Sequence, residues 1–395
     1  MKVLVVHEHY RGSSPSGEDR IFEQECRLLS DAGVKVITHE IYNDEIDASS
    51  LARRIRLGLR TIWSRESART IDKILFAEHP DIAYFHNTFP LLSPSVYEPC
   101  NRAGVPVVQM VQSYRLLCPA GTLFRAGRTC TSCLDANLAH SVLHACYRGS
   151  RPATAAIAGM LAVHRRKGTY RDAVDAYVTP TPFVREKLMQ GGVPGGKIAV
   201  RPNFLSSDAP VGRGDGGYAL YFGRLSHEKG LMELVANWRY VSDLPLHIVG
   251  SGPLEDEISE YIARHAVNAR LCGRARMEQL YEIIGGALFS LVPSKWYEGY
   301  PMAIVESFAC GTPVLIGANA NLNQIGRPGE TGDHCRPEDP TDFLEKIVDL
   351  RETAPGMRAA TRRYFLEHHS ADTARDSLFE IFERARAGRR LTSAV

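Results

Sequence analysis

The sequence predicts an α/β protein of two doubly wound domains that face each other across a cleft. Each is expected to be a parallel sheet covered by helices on both faces. Three observations lead there. The chain has 395 residues, more than one ordinary core accommodates. Short apolar runs alternate with stretches of helical spacing along both halves. One Ser, Asp, Pro and Gly-rich stretch, 206–217, separates the two series and reads as a linker.

The elements follow in order. In the first half, Lys2 to Val6, Lys35 to His39, Ile82 to His86 and Val105 to Met110 read as strands. Glu18 to Ala32 reads as a helix, and Leu51 to Phe76 as one long helical stretch ended by Pro80. Residues 118–150 are rich in Cys, Gly and Arg without clean periodicity, and read as an inserted loop subdomain. Ala176 to Thr179 and Ile198 to Arg201 are strands around a helix from Pro182 to Gln190. The second half repeats the alternation, with strands at Tyr218 to Phe222, Leu246 to Val249, Ala269 to Leu271, Ala287 to Val292 and Pro313 to Ile316. Its helices are Leu231 to Arg239, Leu254 to His265, Met277 to Ile284 and Pro301 to Cys310, and the tail from Pro340 to Ala387 is helical. The expected domains are 1–205, 206–364 and a returning C-terminal helix in 365–395.

Bulk composition narrows the function. Lys plus Arg is 47 and Asp plus Glu 45, a formal charge of +2. That excludes a general nucleic-acid binder, whose domain is strongly basic. Met1-Lys2 runs straight into Val3-Leu4-Val5-Val6, too short for the core of a signal peptide. No apolar run reaches the ~18 residues of a membrane span. The expectation is a cytosolic protein, peripheral at the inner face of a membrane.

Two motifs carry chemistry. Gly223-Arg224-Leu225-Ser226-His227-Glu228-Lys229-Gly230 follows a strand and opens a helix. Backbone N–H groups, the helix dipole and the charges of Arg224 and Lys229 would hold a diphosphate there. They would also stabilise the charge that grows on it as it leaves. A solvated surface turn is the competing reading. The stretch from Glu298 to Glu306 (Glu-Gly-Tyr-Pro-Met-Ala-Ile-Val-Glu) carries two carboxylates, with Pro301 suited to a first helical turn. Glu298 then precedes the helix and can face a sugar or the base of the phosphate site. Glu306 lies on the helix and can accept hydrogen bonds from a ribose diol. A dipole-complementing Glu and a surface Glu are the alternative.

Together with Val249-Gly250-Ser251-Gly252-Pro253-Leu254 and Cys310-Gly311-Thr312-Pro313-Val314, these motifs come in the order and spacing of one family. The sequence resembles the retaining glycosyltransferases of family 4, which have the GT-B fold of two Rossmann-like domains. The resemblance spans nearly the whole chain and is strongest from Tyr218 to Ile316. It implies transfer from a UDP- or GDP-sugar to a hydroxyl of a lipid-linked or polymeric glycan in cell-surface polysaccharide synthesis, with no catalytic metal. It implies that Arg224 and Lys229 bind the donor diphosphate, that Glu306 binds the ribose and that Glu298 lies near the donor sugar. Gly250, Gly252, Gly273 and Arg274 would border the nucleoside. The family often has two glycines near the first strand; this chain has Ser16-Gly17, leaving Gly17 for the donor phosphates. His86 ends a strand at the cleft and could touch donor or acceptor. Relatives often carry His where Gln112 stands, and Gln cannot take a proton. That fits a mechanism in which the departing phosphate accepts the acceptor's proton. The reading from another class is a catalytically degenerate GT-B scaffold or sugar-binding protein.

Two further features stand apart. Cys118, Cys130, Cys133 and Cys146 lie within one short insert, and a C-x-x-C knuckle with two flanking thiols suggests a structural zinc site. His140 and His144 are substitute ligands, and plain thiols or a labile disulfide are the alternatives. Arg53, Arg54, Arg56, Arg60, Arg65 and Arg69 alternate with Leu51, Ile55, Leu59, Ile62 and Trp63. Such a basic amphipathic helix suits anionic headgroups; a helix with a solvated outer face is the alternative.

Overall fold

The computed structural model describes residues 1–12, 17–46, 49–135, 137–205 and 209–393. The chain forms two compact units. The first comprises residues 1–123, 130–202 and 374–395, and the second 124–129 and 203–373. The division therefore falls at Pro202 rather than residue 205, and the chain re-enters the first unit at Ala374 rather than 365.

The first unit holds β1 (Lys2–His9), β2 (Lys35–Tyr42), β3 (Ile82–Phe85) and β4 (Val107–Met110). A hairpin follows, β5 (Phe124–Arg125) with β6 (Arg128–Thr129), which clusters with the second unit. Then come β7 (Ala176–Thr179) and β8 (Ile198–Val200). The sheet runs β2-β1-β3-β4-β7-β8, all parallel. Val3 to Val6 are wholly buried, as a strand covered on both faces requires.

The second unit holds β9 (Ala219–Phe222), β10 (Leu246–Val249), β11 (Ala269–Leu271), β12 (Phe289–Val292), β13 (Val314–Gly317) and β14 (Gly332–Cys335). Its order is β11-β10-β9-β12-β13-β14, again all parallel. The two-residue period of β9 splits it between two cores. Ala219 and Tyr221 pack with Trp238, Ile258 and Phe343, and Leu220 and Phe222 with Ile304, Phe308 and Phe365.

Three features go beyond the pattern read from the sequence. The stretch from Leu51 to Phe76 is two helices, Leu51–Ile62 and Arg65–Glu78. Ser64 breaks it: its hydroxyl accepts the Ser67 N–H and caps the second helix. The tail is also two helices, Pro340–His368 and Ala371–Ser393, divided at His369-Ser370. Finally, β14 was not anticipated, because Gly-Asp-His-Cys contains no apolar run.

Candidate active site

In a doubly wound sheet, ligands sit beyond the carboxyl ends of the strands, where the strand order reverses. In the second unit that point lies between β9 and β12. The loops leaving these two strands carry Arg224, Lys229 and Glu298. Lys229 Nζ lies 2.7 Å from Glu298 Oε2, and Ser294 Oγ donates to Glu298 Oε1. Glu298 is 5% exposed. The Lys229 ammonium also stands 5.7 Å from the centre of the Trp296 ring. Asn321 Nδ2 donates to the Glu298 carbonyl and fixes that loop from the far side. A buried carboxylate so held is neither a dipole-complementing Glu nor a solvated one. Ser294, Trp296 and Asn321 lie outside the recognised motifs; Asn321 is 23 residues from Glu298 in sequence, and only the fold unites them.

The Arg224–Lys229 segment lies in the turn between β9 and the helix that begins at Leu231, as expected, and His227–Lys229 adds a 3₁₀ turn within it. Gly230, at φ +71°, makes the corner; a β-carbon there would stand 2.1 Å from the Pro293 carbonyl oxygen. Pro301 likewise precedes its helix, Met302–Ala309, rather than beginning it. Arg224 is exposed, and its carbonyl accepts the Tyr221 hydroxyl at 2.8 Å. Glu306 is 2% exposed, so it is no surface glutamate.

The loops after β9, β10 and β11 are laced together by their backbones. Gly223 N–H donates to Val249 O at 3.0 Å, Leu225 N–H to Ser251 O at 3.1 Å, and Gly250 N–H to Gly273 O at 2.7 Å. A β-carbon on Gly250 would stand 1.9 Å from Gly223 O, and one on Gly252 would stand 2.3 Å from Leu225 O. Only glycine permits that approach. Arg274 Nε donates to Ser251 Oγ at 2.6 Å, which brings its exposed guanidinium to the same turn. The structure thus unites Gly223, Gly250, Gly252 and Arg274 in one cradle beside Lys229 and Glu298.

In the first unit, the strand order reverses between β1 and β3. A buried cluster sits there that the motifs did not disclose. His7 Nε2 lies 2.8 Å from Asp19 Oδ1, His9 Nδ1 3.5 Å from the same oxygen, and His9 Nε2 2.8 Å from Glu40 Oε2. Burial holds His7 below the usual imidazole range, against the pull of Asp19. Glu8 accepts the Leu91 and Leu92 N–H groups at 2.9 Å, and burial pushes its carboxyl up to about 8. The available signal was polarity: His-Glu-His closes an otherwise apolar strand. His86 is buried beside His7, with ring centres 6.1 Å apart. Among the described residues neither of its ring nitrogens has a hydrogen-bond partner, and desolvation holds it well below the imidazole range. Gln112, half-buried, directs Nε2 at Met110 Sδ at 3.3 Å. Gly17 starts the Gly17–Asp31 helix, and no atom would meet a β-carbon there within 4 Å. Ser16 lies outside the described residues.

The insert contains the β5–β6 hairpin and two short helices, Ser132–Asp135 and Ala139–Leu143. Cys118 and Cys133 are buried, and Cys130 and Cys146 half-buried. The Cys133 thiol is pushed up to about 11, first by burial and then by the Cys118, Cys146 and Cys130 thiols. Among the described residues, the group whose ligand atoms come within 4.8 Å of one another is His7, His9 and Asp19 rather than these cysteines.

Comparison with known proteins bears on this site. Residues 207–364 match the model of the family described as glycosyl transferases group 1. An uncharacterised glycosyltransferase of Methanocaldococcus jannaschii is 26% identical over 149 residues, covering 38% of this chain and 42% of that protein. The chain thus spans less than half the length of that curated relative. The sucrose-phosphate synthase of Thermosynechococcus elongatus superposes over 100% of both chains with a TM-score of 0.69 at 14% identity. The Anabaena protein HepE, solved with UDP, superposes over 97% of this chain and 100% of its own, with a TM-score of 0.67 at 13% identity. The fold is GT-B, and residues 207–364 are similar to the glycosyl transferases group 1 family.

Proposed function

We propose that this protein transfers a sugar, with retention of configuration, from a UDP- or GDP-sugar to a hydroxyl of a lipid-linked or polymeric glycan. The product would enter cell-surface polysaccharide at the inner membrane face. The observation that carries this reading is the Lys229–Glu298 pair, 2.7 Å apart, at the strand reversal of the matched domain. In this reading Arg224 and Lys229 grip the donor diphosphate, and the Gly223, Gly250 and Gly252 turns let backbone approach the nucleotide. Glu306 accepts the ribose hydroxyls, and Arg274 closes the nucleoside side. Glu298 orients Lys229 and borders the sugar. In the first unit, Gly17 is assigned to phosphate, and His86 and Gln112 to substrate.

The transfer balances without an enzymic base. The bond from the anomeric carbon to the diphosphate oxygen breaks, and the acceptor oxygen bonds that carbon on the same face. The acceptor's proton passes to the departing phosphate. Lys229 and Arg224 stabilise the charge left there, the term that usually contributes most to such a step. HepE, a fold neighbour solved with UDP, lends support to a nucleotide donor.

A thermal-shift screen against UDP, GDP, ADP and their sugar conjugates tests this. A ligand bound only by the folded state raises its stability. Selective stabilisation by one nucleotide, lost in Arg224→Ala, is expected. No stabilisation at millimolar nucleotide would favour the degenerate scaffold.

A further inference from the structure

Two imidazoles and a carboxylate converge at the carboxyl end of β1. His7 and His9 are two residues apart on the strand, so their side chains share one face. Glu8 turns to the other face and accepts the Leu91 and Leu92 N–H groups. The Gly17–Asp31 helix brings Asp19 to the histidines in its first turn. One oxygen is the focus: Asp19 Oδ1 lies 2.8 Å from His7 Nε2 and 3.5 Å from His9 Nδ1. One ligand atom from each of the three residues lies within 4.8 Å of the other two. Ligand atoms around a tetrahedral zinc, at bonds of about 2 Å, stand roughly 3.3 Å apart. The two separations from Asp19 already straddle that spacing.

The surroundings suit ligands better than a plain hydrogen bond. β1 and β2 pair in parallel, which sets Glu40 beside the histidines. Glu40 Oε2 lies 2.8 Å from His9 Nε2 and accepts the Tyr42 hydroxyl at 3.3 Å. A carboxylate behind an imidazole is the usual outer partner of a metal-bound histidine, fixing its tautomer and orienting its ring. With its Nε2–H given to Glu40, a neutral His9 turns the Nδ1 lone pair toward the Asp19 carboxylate, one acceptor facing another. A cation between them converts that opposition into two bonds. The ring planes are held as well, since Phe22 stacks on His7 at 4.6 Å and Tyr42 on His9 at 4.5 Å. The side chains of His9 and Asp19 are 13% and 12% exposed and that of His7 0%, so an ion enters from solvent with His7 at the floor of the site.

We propose that His7, His9 and Asp19 bind a divalent first-row transition ion, zinc or a close equivalent, with Glu40 positioning His9 from behind. Two imidazoles and a carboxylate suit zinc, iron, cobalt or nickel, whereas magnesium and calcium call for oxygen ligands. Three protein ligands leave the fourth position open to water. The site is separate from the four cysteines of the insert, whose donor atoms would all be sulfur. It stands apart from the transfer reading too, because the ion binds with neither donor nor acceptor present.

The test is titration of the metal-stripped full chain with Co²⁺, followed by visible absorption and calorimetry. Imidazole and carboxylate ligands give cobalt d–d bands alone, whereas thiolates add an intense charge-transfer band. The wild-type spectrum minus that of Asp19→Asn is expected to show d–d bands with no charge-transfer band, and His9→Gln should lose the same component. Each of these variants should bind one ion fewer per chain. Zinc should displace the cobalt, and magnesium should not. Glu40→Gln removes no ligand atom, and should keep the bands while weakening cobalt binding by about 10- to 100-fold. Melting temperatures of the metal-free proteins check folding; should a ligand variant fail to fold, the wild-type spectrum and the Glu40→Gln affinity decide. Wild type that binds no cobalt, or binds it through thiolates only, would overturn the proposal. So would full binding by folded Asp19→Asn, or an affinity unchanged in Glu40→Gln.

Discussion

Lys229 and Glu298 are 69 positions apart in sequence and 2.7 Å apart in space. Each was legible as a charged residue in a motif; their pairing was not, since it depends on β9 and β12 being neighbours in the sheet. Lys229 and Glu306, by contrast, divide the expected effects of substitution. If Lys229 holds the departing diphosphate as proposed, Lys229→Ala should lower kcat by about 100-fold or more. If Glu306 binds the ribose as proposed, Glu306→Ala should raise the donor KM by about tenfold with kcat nearly unchanged. Steady-state kinetics of both variants check this; wild-type constants in either would refute that residue's role. The burial of Glu306 was equally invisible in sequence, because a helical glutamate reads as a surface residue until its helix is placed. His7, His9 and Asp19 were overlooked for a related reason. Asp19 comes from a helix and the histidines from a strand, and no spacing rule links them.

At the scale of elements, strong periodicity located the helices, and caps decided their ends. The Ser64 cap divides a stretch whose apolar spacing reads as continuous, because a capping hydroxyl competes locally with the pattern around it. The Pro340–His368 helix is fixed by buried polar contacts that no pattern announces. Arg358 donates to Gly212 O, Ala287 O and Gly285 O at 3.2, 3.1 and 2.9 Å. Just past the helix end, His369 Nδ1 donates to Asn203 O at 2.8 Å, and its Nε2 accepts the Tyr300 hydroxyl at 3.0 Å. Burial pushes His369 down to about 4, and His164 in the first unit likewise to about 4, from 6.5. Both lowered values act in one direction. As pH falls from 6.5 to 4, the unfolded chain takes up protons that the folded chain refuses, so stability is lost across that window. Glu8, raised to about 8, and Glu25, also raised, act the other way over this window, so the difference between variant and wild type is the reading. The melting temperature of His369→Gln relative to wild type should rise as pH falls from 6.5 to 4. A slope unchanged in that variant would show that His369 is not part of the response.

At the scale of the molecule, the alternation of strand and helix was enough to predict two doubly wound units, because parallel sheets bury both faces and leave apolar runs. The boundaries were less legible. The first unit ends at Pro202, before the Gly and Ser-rich stretch, and regains the chain only at Ala374. Composition marks where a chain is free to bend, whereas a unit ends where its contacts end. β14 and the β5–β6 hairpin are short, polar and held by partners rather than by pattern, so only the fold reveals them.

The most direct test of the account is a crystal structure of this protein with the nucleoside diphosphate that stabilises it best. The account predicts the diphosphate on Arg224 and Lys229, beside the Gly223, Gly250 and Gly252 turns, with the ribose hydroxyls on Glu306. A nucleotide bound away from the β9–β12 reversal, or a diphosphate that touches neither Arg224 nor Lys229, would contradict it.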